Sequence, residues 1–174
     1  SNNPHIRQAL SGIWQHSVCV GSLARHIAEL MGHDGDRSYL AGLMHDAGKP
    51  IVAGLLLDAE RQLLKQDREF LDSDLWVRVV NRCHRQVGAT IARKWKLADE
   101  EVAAIEHGGH FVEGEVYQPV NYVVFANAIA KRDGPYPGDV DQGANELLIE
   151  RGAAMLNLSP LELDELSAAC HAAA

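Results

Sequence analysis

Apolar positions recur at helical spacing along almost the whole chain. In GIWQHSVCVGSLARHIAELMG, Ile13, Val20, Leu23, Ile27 and Leu30 follow at intervals of three, four or seven residues, which draws one apolar stripe on a helix. Gly32 stands where such a helix stops. His16, four residues before Val20, lies on the stripe, whereas His26 and His33 fall off it or beyond it. Asp36 is placed to cap a second helix carrying Tyr39, Leu40, Leu43 and Met44. That helix is expected to end in His45-Asp46, with Gly48 as its stop. Pro50 suits the first turn of a third helix, PIVAGLLLDAERQLLKQ, with a break expected near Asp58.

Ser73 or Asp74 starts a fourth helix through Trp76, Val79 and Val80. A fifth runs from about His84 to Lys96, with Val87, Ile91 and Trp95 on one side. Asp99 or Glu100 opens a sixth, with Val102 and Ile105 inward and His107 at its end. GGHFVEGEVYQP reads as loop. Pro119 opens a seventh helix, PVNYVVFANAIAKRD, apolar on most sides and therefore central. GPYPGDVDQG reads as a second loop, and Ser159-Pro160-Leu161-Glu162 is a capping box before a last helix. No segment alternates strictly between apolar and polar. Val120 to Phe125 is β-rich in composition, but its continuation through ANAIAK favours helix. With no repeat and no internal linker, the pattern predicts one all-α domain over residues 1–174.

Composition narrows the function classes. Of the 174 residues 47% are hydrophobic and the net charge is −8, which fits a globular fold and argues against a large nucleic-acid-binding face. A small phosphorylated ligand held by a few cations stays open. The cysteines, Cys19, Cys83 and Cys170, are odd in number and far apart in sequence, so a reducing cytoplasm is expected rather than a disulfide framework. The apolar run Ile51 to Leu57 is too short to span a bilayer, and no membrane association is expected.

Nine histidines, not clustered as a tag, are the first hint of a metal. In AGLMHDAGKP, His45 and Asp46 stand side by side. His16, His45, Asp46, His84, His107 and His110 fall at predicted helix ends or inward faces. Imidazole and carboxylate donors suit Fe, Mn, Zn, Ni or Co, as one ion, two ions or none. A water on such an ion could attack a phosphoester. Taken alone, His16 reads more simply as a hydrogen-bonded core residue and HGGH as a glycine loop. Their joint occurrence weakens that simpler reading. Lys49 is either a contact for a ligand phosphate or a solvated lysine at a helix end.

The phrases IWQHSVCVGSLARHIA, YLAGLMHDAGKPIV, CHRQVGATIARKWKL, VAAIEHGGH and VVFANAIAKRDG, in this order from about Ile13 to Gly134, resemble the HD superfamily and, within it, the HDOD group of bacterial signalling domains. The resemblance implies an HD-domain-like helical bundle. It implies that His16, His45 and Asp46 correspond to metal ligands; if the site is active, Asp46 and Lys49 are the candidate catalytic residues. His84 and either His107 or His110 lie where two-metal members place additional histidines. Asn127 stands where metal-dependent members carry an aspartate, so weaker metal binding is expected. GPYP, Gly134 to Pro137, looks like the GYP motif of cyclic-dinucleotide phosphodiesterases but follows the wrong helix. The resemblance also implies more helices before the IW phrase, so a fragment or a shortened domain with an open apolar face is expected, and such a face favours a homodimer. Two functions follow. One is a signal-transduction regulatory domain, with a degenerate metal site and a signalling protein or phosphorylated small molecule as partner. The other is a metal-dependent phosphohydrolase acting on a nucleotide or other phosphoester. Asn127 tilts the expectation toward the first.

Overall fold

A computed structural model describes residues 4–65 and 72–172. The described residues form eight α-helices and no strand: α1 (Pro4–Leu30), α2 (Gly35–Met44), α3 (Gly48–Leu64), α4 (Ser73–Lys94), α5 (Asp99–His107), α6 (Pro119–Asp133), α7 (Gln142–Met155) and α8 (Pro160–Ala172). The all-α reading therefore holds.

Helix α6 is the axis of the bundle. Every residue from Val120 to Ala130 is buried, and α1, α2, α5, α7 and α8 all pack on it. Its interior face meets Val20, Leu23 and Ile27 of α1, Ile149 of α7 and Leu166 of α8 in one apolar cluster. A smaller cluster, Ala89, Ala92, Val102 and Ile105, joins α4 to α5. Helix α1 stops as its sequence predicts. Gly32 takes a φ of 74°, and the bonds Gly32 N–H to Glu29 C=O and His33 N–H to Ala28 C=O make a Schellman cap. The Ser159–Glu162 capping box also forms, with Ser159 N–H donating to Glu162 Oε2 at 2.7 Å.

Several boundaries differ from the sequence expectation. Asp34, not Asp36, caps α2, its Oδ1 accepting from the N–H groups of Asp36 and Arg37. Asp36 already lies in the first turn and pairs with Arg25. Gly48 does not stop α2 but begins α3. Helix α3 runs unbroken past Asp58, which is exposed and paired with Arg61. The expected fourth and fifth helices are the single helix α4. The apolar stripe fades around His84 because that part of the helix faces a polar cavity rather than core. Trp95 is 61% exposed, since it is the C-cap of α4 and the chain turns at Lys96, where φ is 60°. Helix α7 was not foreseen. Its buried positions are Asn145, Ile149 and Gly152, so a polar residue and a glycine stand where an apolar stripe would have announced it. Asn145 donates to the Ala128 carbonyl of α6 at 2.9 Å.

The stretch Gly35–Leu63 is long and apolar enough by composition to cross a membrane, yet it is folded as α2 and α3 with a turn at residues 45–47 between them. Cys19 and Cys170, 151 positions apart in sequence, meet at 2.8 Å between sulfurs as free thiols, an approach set by the packing of α8 on α1.

Candidate metal centre and adjoining cavity

Two glycine contacts fix the turn that carries His45 and Asp46. A Cβ on Gly42 of α2 would lie 2.8 Å from Gly21 Cα of α1, so the two helices cross at backbone distance. On the other side of the turn, a Cβ on Gly48 would collide with the backbone carbonyl of His84 in α4. The close approach of α3 to α4 thus brings His84 to Asp46, while the α1–α2 crossing brings His16 to His45, with ring centroids 5.5 Å apart.

His16, His45, Asp46, His84 and Asn127 are all buried and converge from α1, the α2–α3 turn, α4 and α6. One donor atom each from His16, His45 and Asp46 lies within 4.8 Å of the others. Each imidazole uses its Nδ1 on a backbone carbonyl: His16 on Pro135 at 3.0 Å, His45 on Gly42 at 2.6 Å and His84 on Asn81 at 2.8 Å. An Nδ1–H donor leaves a lone pair at Nε2. The Nε2 atoms of His45 and His84 are buried and have no hydrogen-bond partner, and both stand 3.4 Å from an oxygen of Asp46. His16 has the sharper conflict. A neutral ring carries one N–H, but both its nitrogens face carbonyl oxygens at 3.0 Å, Pro135 O and Asn127 Oδ1. The Asn127 amide is oriented by its Nδ2, which donates to Gly108 O at 3.3 Å.

Protonation does not resolve this conflict. Burial, then the neighbouring His45, lowers the His16 pKa to about 3, and burial lowers that of His45 as well. Burial alone would raise Asp46, but His45, His84 and Lys49 outweigh it and hold the carboxyl well below its usual range. The pocket therefore sets neutral imidazoles of His16 and His45 beside an ionised carboxylate, with the His84 ring on its other oxygen. This donor set fits a divalent transition metal, and separations of 3.0–3.4 Å between neighbouring donors suit bonds of about 2.1 Å.

The remaining sequence candidates divide. Lys49 lies in the site, its Nζ donating to Asp46 Oδ2 at 2.5 Å. His107 and His110 do not reach it. Both are exposed, because the Gly108–Gly109 turn directs the backbone inward and their side chains outward. The Arg85 guanidinium packs on that turn, 3.0 Å from where a Cβ on either glycine would stand. A cavity of about 200 Å³ opens beside the histidines, lined by Asp46, Lys49, His84, Arg85, Asn127 and Lys131 among others. Arg85 and Lys131 were not singled out from sequence, although Arg85 follows His84 and Lys131 is one helical turn after Asn127. GPYP, which in the sequence reads as a loop after the wrong helix for a GYP motif, nevertheless reaches the site: Pro135 accepts from His16 and the Tyr136 ring stacks edgewise on it at 5.0 Å.

With this geometry in place, the comparisons identify the class. The HDOD domain family matches residues 2–110, and the chain belongs to that family. The matched span holds His16, His45, Asp46, Lys49 and His84, while Asn127, Lys131 and Tyr136 lie beyond it. Comparison with curated protein sequences gives no match. The fold is similar to the crystal structure of a "putative phosphohydrolase" from Shewanella amazonensis SB2B, with a TM-score of 0.56 and 18% identity over 92% of this chain. The chain spans 60% of the length of that protein.

Proposed function

We propose that this is a regulatory HDOD module of bacterial cytoplasmic signalling that holds a divalent transition metal and binds a phosphorylated small molecule with little or no turnover. The observation that carries the metal is the pair of buried Nε2 lone pairs on His45 and His84, unpartnered and aimed at Asp46. His16, His45, Asp46 and His84 would hold the ion, with the Asn127 carbonyl as a neutral fifth donor. A bound ion supplies polarisation of a phosphoryl oxygen and a more acidic water.

The argument for weak turnover concerns this chain's own groups. Asp46 is the one carboxylate lining the cavity among the described residues, and it is already paired with Lys49. Among the described residues no second carboxylate lines the cavity to take a proton from an attacking water or to balance the charge of the ion. The second reading, a metal-dependent phosphohydrolase, is favoured by the three cations on the cavity wall, Lys49, Arg85 and Lys131.

Elemental analysis of purified protein, with calorimetric titration of manganese, zinc and nickel into chelator-treated protein, tests the metal. Near-stoichiometric binding is expected, weakened at least about tenfold by His45→Ala or His84→Ala. Binding unaffected by both substitutions removes the metal reading. Rapid phosphoester turnover abolished by Asp46→Ala would replace the regulatory reading by the enzymatic one.

A further inference from the structure

The cavity beside the histidines carries more positive charge than its own side chains balance. Lys49, Arg85 and Lys131 face a single carboxylate, Asp46. Lys49 is bonded to it, but Arg85 and Lys131 form no ion pair among the described residues, and Nη1 of Arg85 is buried without a hydrogen-bond partner. Lys49 and Lys131 both place their ammonium groups over the Tyr136 ring, 5.7 and 5.3 Å from its centroid. Two like charges held close to one aromatic ring, with a guanidinium lining the same cavity, repel one another, and an anion among them relieves that repulsion. A divalent ion on the histidines would add to the excess.

A groove of about 320 Å³ adjoins this cavity and shares Lys49, Asn81 and Tyr136 with it. Beyond the shared residues the groove's walls are mostly apolar, Ile13, Trp76, Val77, Val80 and Pro137, with the exposed carboxylate of Asp139 at one side. Among the described residues lining it, the indole Nε1 of Trp76 is buried with no acceptor. Cavity and groove together reach the size of a small-molecule site, cationic at one end and mostly apolar at the other, where Asp139 is the one acidic group among the described lining residues.

Resting on the phosphorylated-ligand reading above and making it specific, we infer that the site selects a terminal phosphate, a dianion with three free oxygens, joined to an aromatic or similarly apolar group. Lys49, Arg85 and Lys131 provide one cation for each terminal oxygen. The groove takes the organic group, and Trp76 N–H meets an acceptor on it. A phosphodiester is disfavoured, because it carries one charge and two substituents where the cavity offers three cations and a single apolar exit.

Calorimetry on the full chain at mildly alkaline pH, with and without manganese, tests this using phenyl phosphate, diphenyl phosphate and inorganic phosphate. The expected order of affinity is phenyl phosphate, then inorganic phosphate, then diphenyl phosphate. Lys131→Gln or Arg85→Gln should weaken phenyl phosphate roughly tenfold without weakening manganese, since neither is a proposed ligand and each removes a charge that repels the ion. Trp76→Ala should bring phenyl phosphate down to the affinity of inorganic phosphate while leaving the latter unaltered. Trp76→Phe, which keeps a ring, should retain most of the phenyl phosphate affinity and serves if the alanine variant is unstable. Diphenyl phosphate binding as tightly as phenyl phosphate overturns the dianion assignment. Phenyl phosphate binding that ignores both Trp76 variants, or a self-associated chain that Trp76→Ala makes monomeric, overturns the groove assignment. Loss of manganese binding with these anion preferences intact would sink only the metal reading.

Discussion

At Asn127 a single amide decides the charge of the site. Its Oδ1 faces the His16 ring and its Nδ2 is held by Gly108, so the side chain is fixed with an uncharged oxygen toward the imidazoles. An aspartate there would give a bound cation a second anionic oxygen and offset part of the excess of Lys49, Arg85 and Lys131. It would also set a carboxylate against the Gly108 carbonyl, which costs stability when no ion is present. Asn127→Asp is therefore expected to raise divalent-metal affinity about tenfold or more while lowering the melting temperature of the metal-free protein. Calorimetric titration together with thermal unfolding checks both halves, and an unchanged metal affinity would show that this position does not face the ion.

At the level of elements, the site depends on how closely α3 can approach α4. Gly48 begins α3 in direct backbone contact with His84 of α4, and its close neighbour across the interface is Gly88, whose own Cβ would stand 3.1 Å from Gly48 N. Adding a methyl group at Gly48 must push the helices apart, because the obstacle is backbone and cannot rotate away. Gly48→Ala is expected to cost about 1–3 kcal/mol of stability and to weaken metal binding by withdrawing His84 from Asp46. Gly54, in the same helix with nothing within 4 Å of a Cβ, is the control. Gly54→Ala should be neutral or stabilising by about 0.5–1 kcal/mol. Urea unfolding of the two variants separates a specific close contact from a general effect of alanine in α3, and equal stabilities would refute the contact.

On the scale of the whole molecule, His16 ties α1 to α6 through Asn127 and to the following loop through Pro135. Burial first, then His45, lowers its pKa to about 3. A depressed histidine contributes stability that is complete above its unfolded pKa, about 6.5. That contribution is lost as pH falls toward the folded value, because the unfolded chain binds the proton first. Metal-free protein should accordingly lose stability on acidification from about pH 6.5, by up to roughly 1.4 kcal/mol per pH unit from this group. Asp46, whose carboxyl is depressed, adds a further loss once pH drops below about 3.9. Thermal unfolding of chelated protein across this range checks the slope, and His16→Gln should flatten it near pH 6. A wild-type melting temperature constant from neutrality to about pH 4 would mean that His16 does not stay neutral when buried.

Local chemistry is what the sequence by itself determined. The 3.6-residue pattern in α1 and α6, the Gly32 stop and the Ser159–Glu162 box are fixed by neighbours within a few positions, so the all-α class and the inward place of His16 were legible from them, while Asn127 came into view only through the resemblance to the HD superfamily. His45 and Asp46 were visible as a pair for the same reason. Only the tertiary structure decided the rest. Helix α7 hides because Asn145 and Gly152 face inward, satisfied by a carbonyl and by an aromatic ring on another helix. His107 and His110 turn outward because Arg85, from α4, occupies the space against the Gly108–Gly109 turn. Arg85, Lys131 and Tyr136 form one cationic wall only after α4, α6 and the GPYP loop have met, and no spacing along the chain records that meeting.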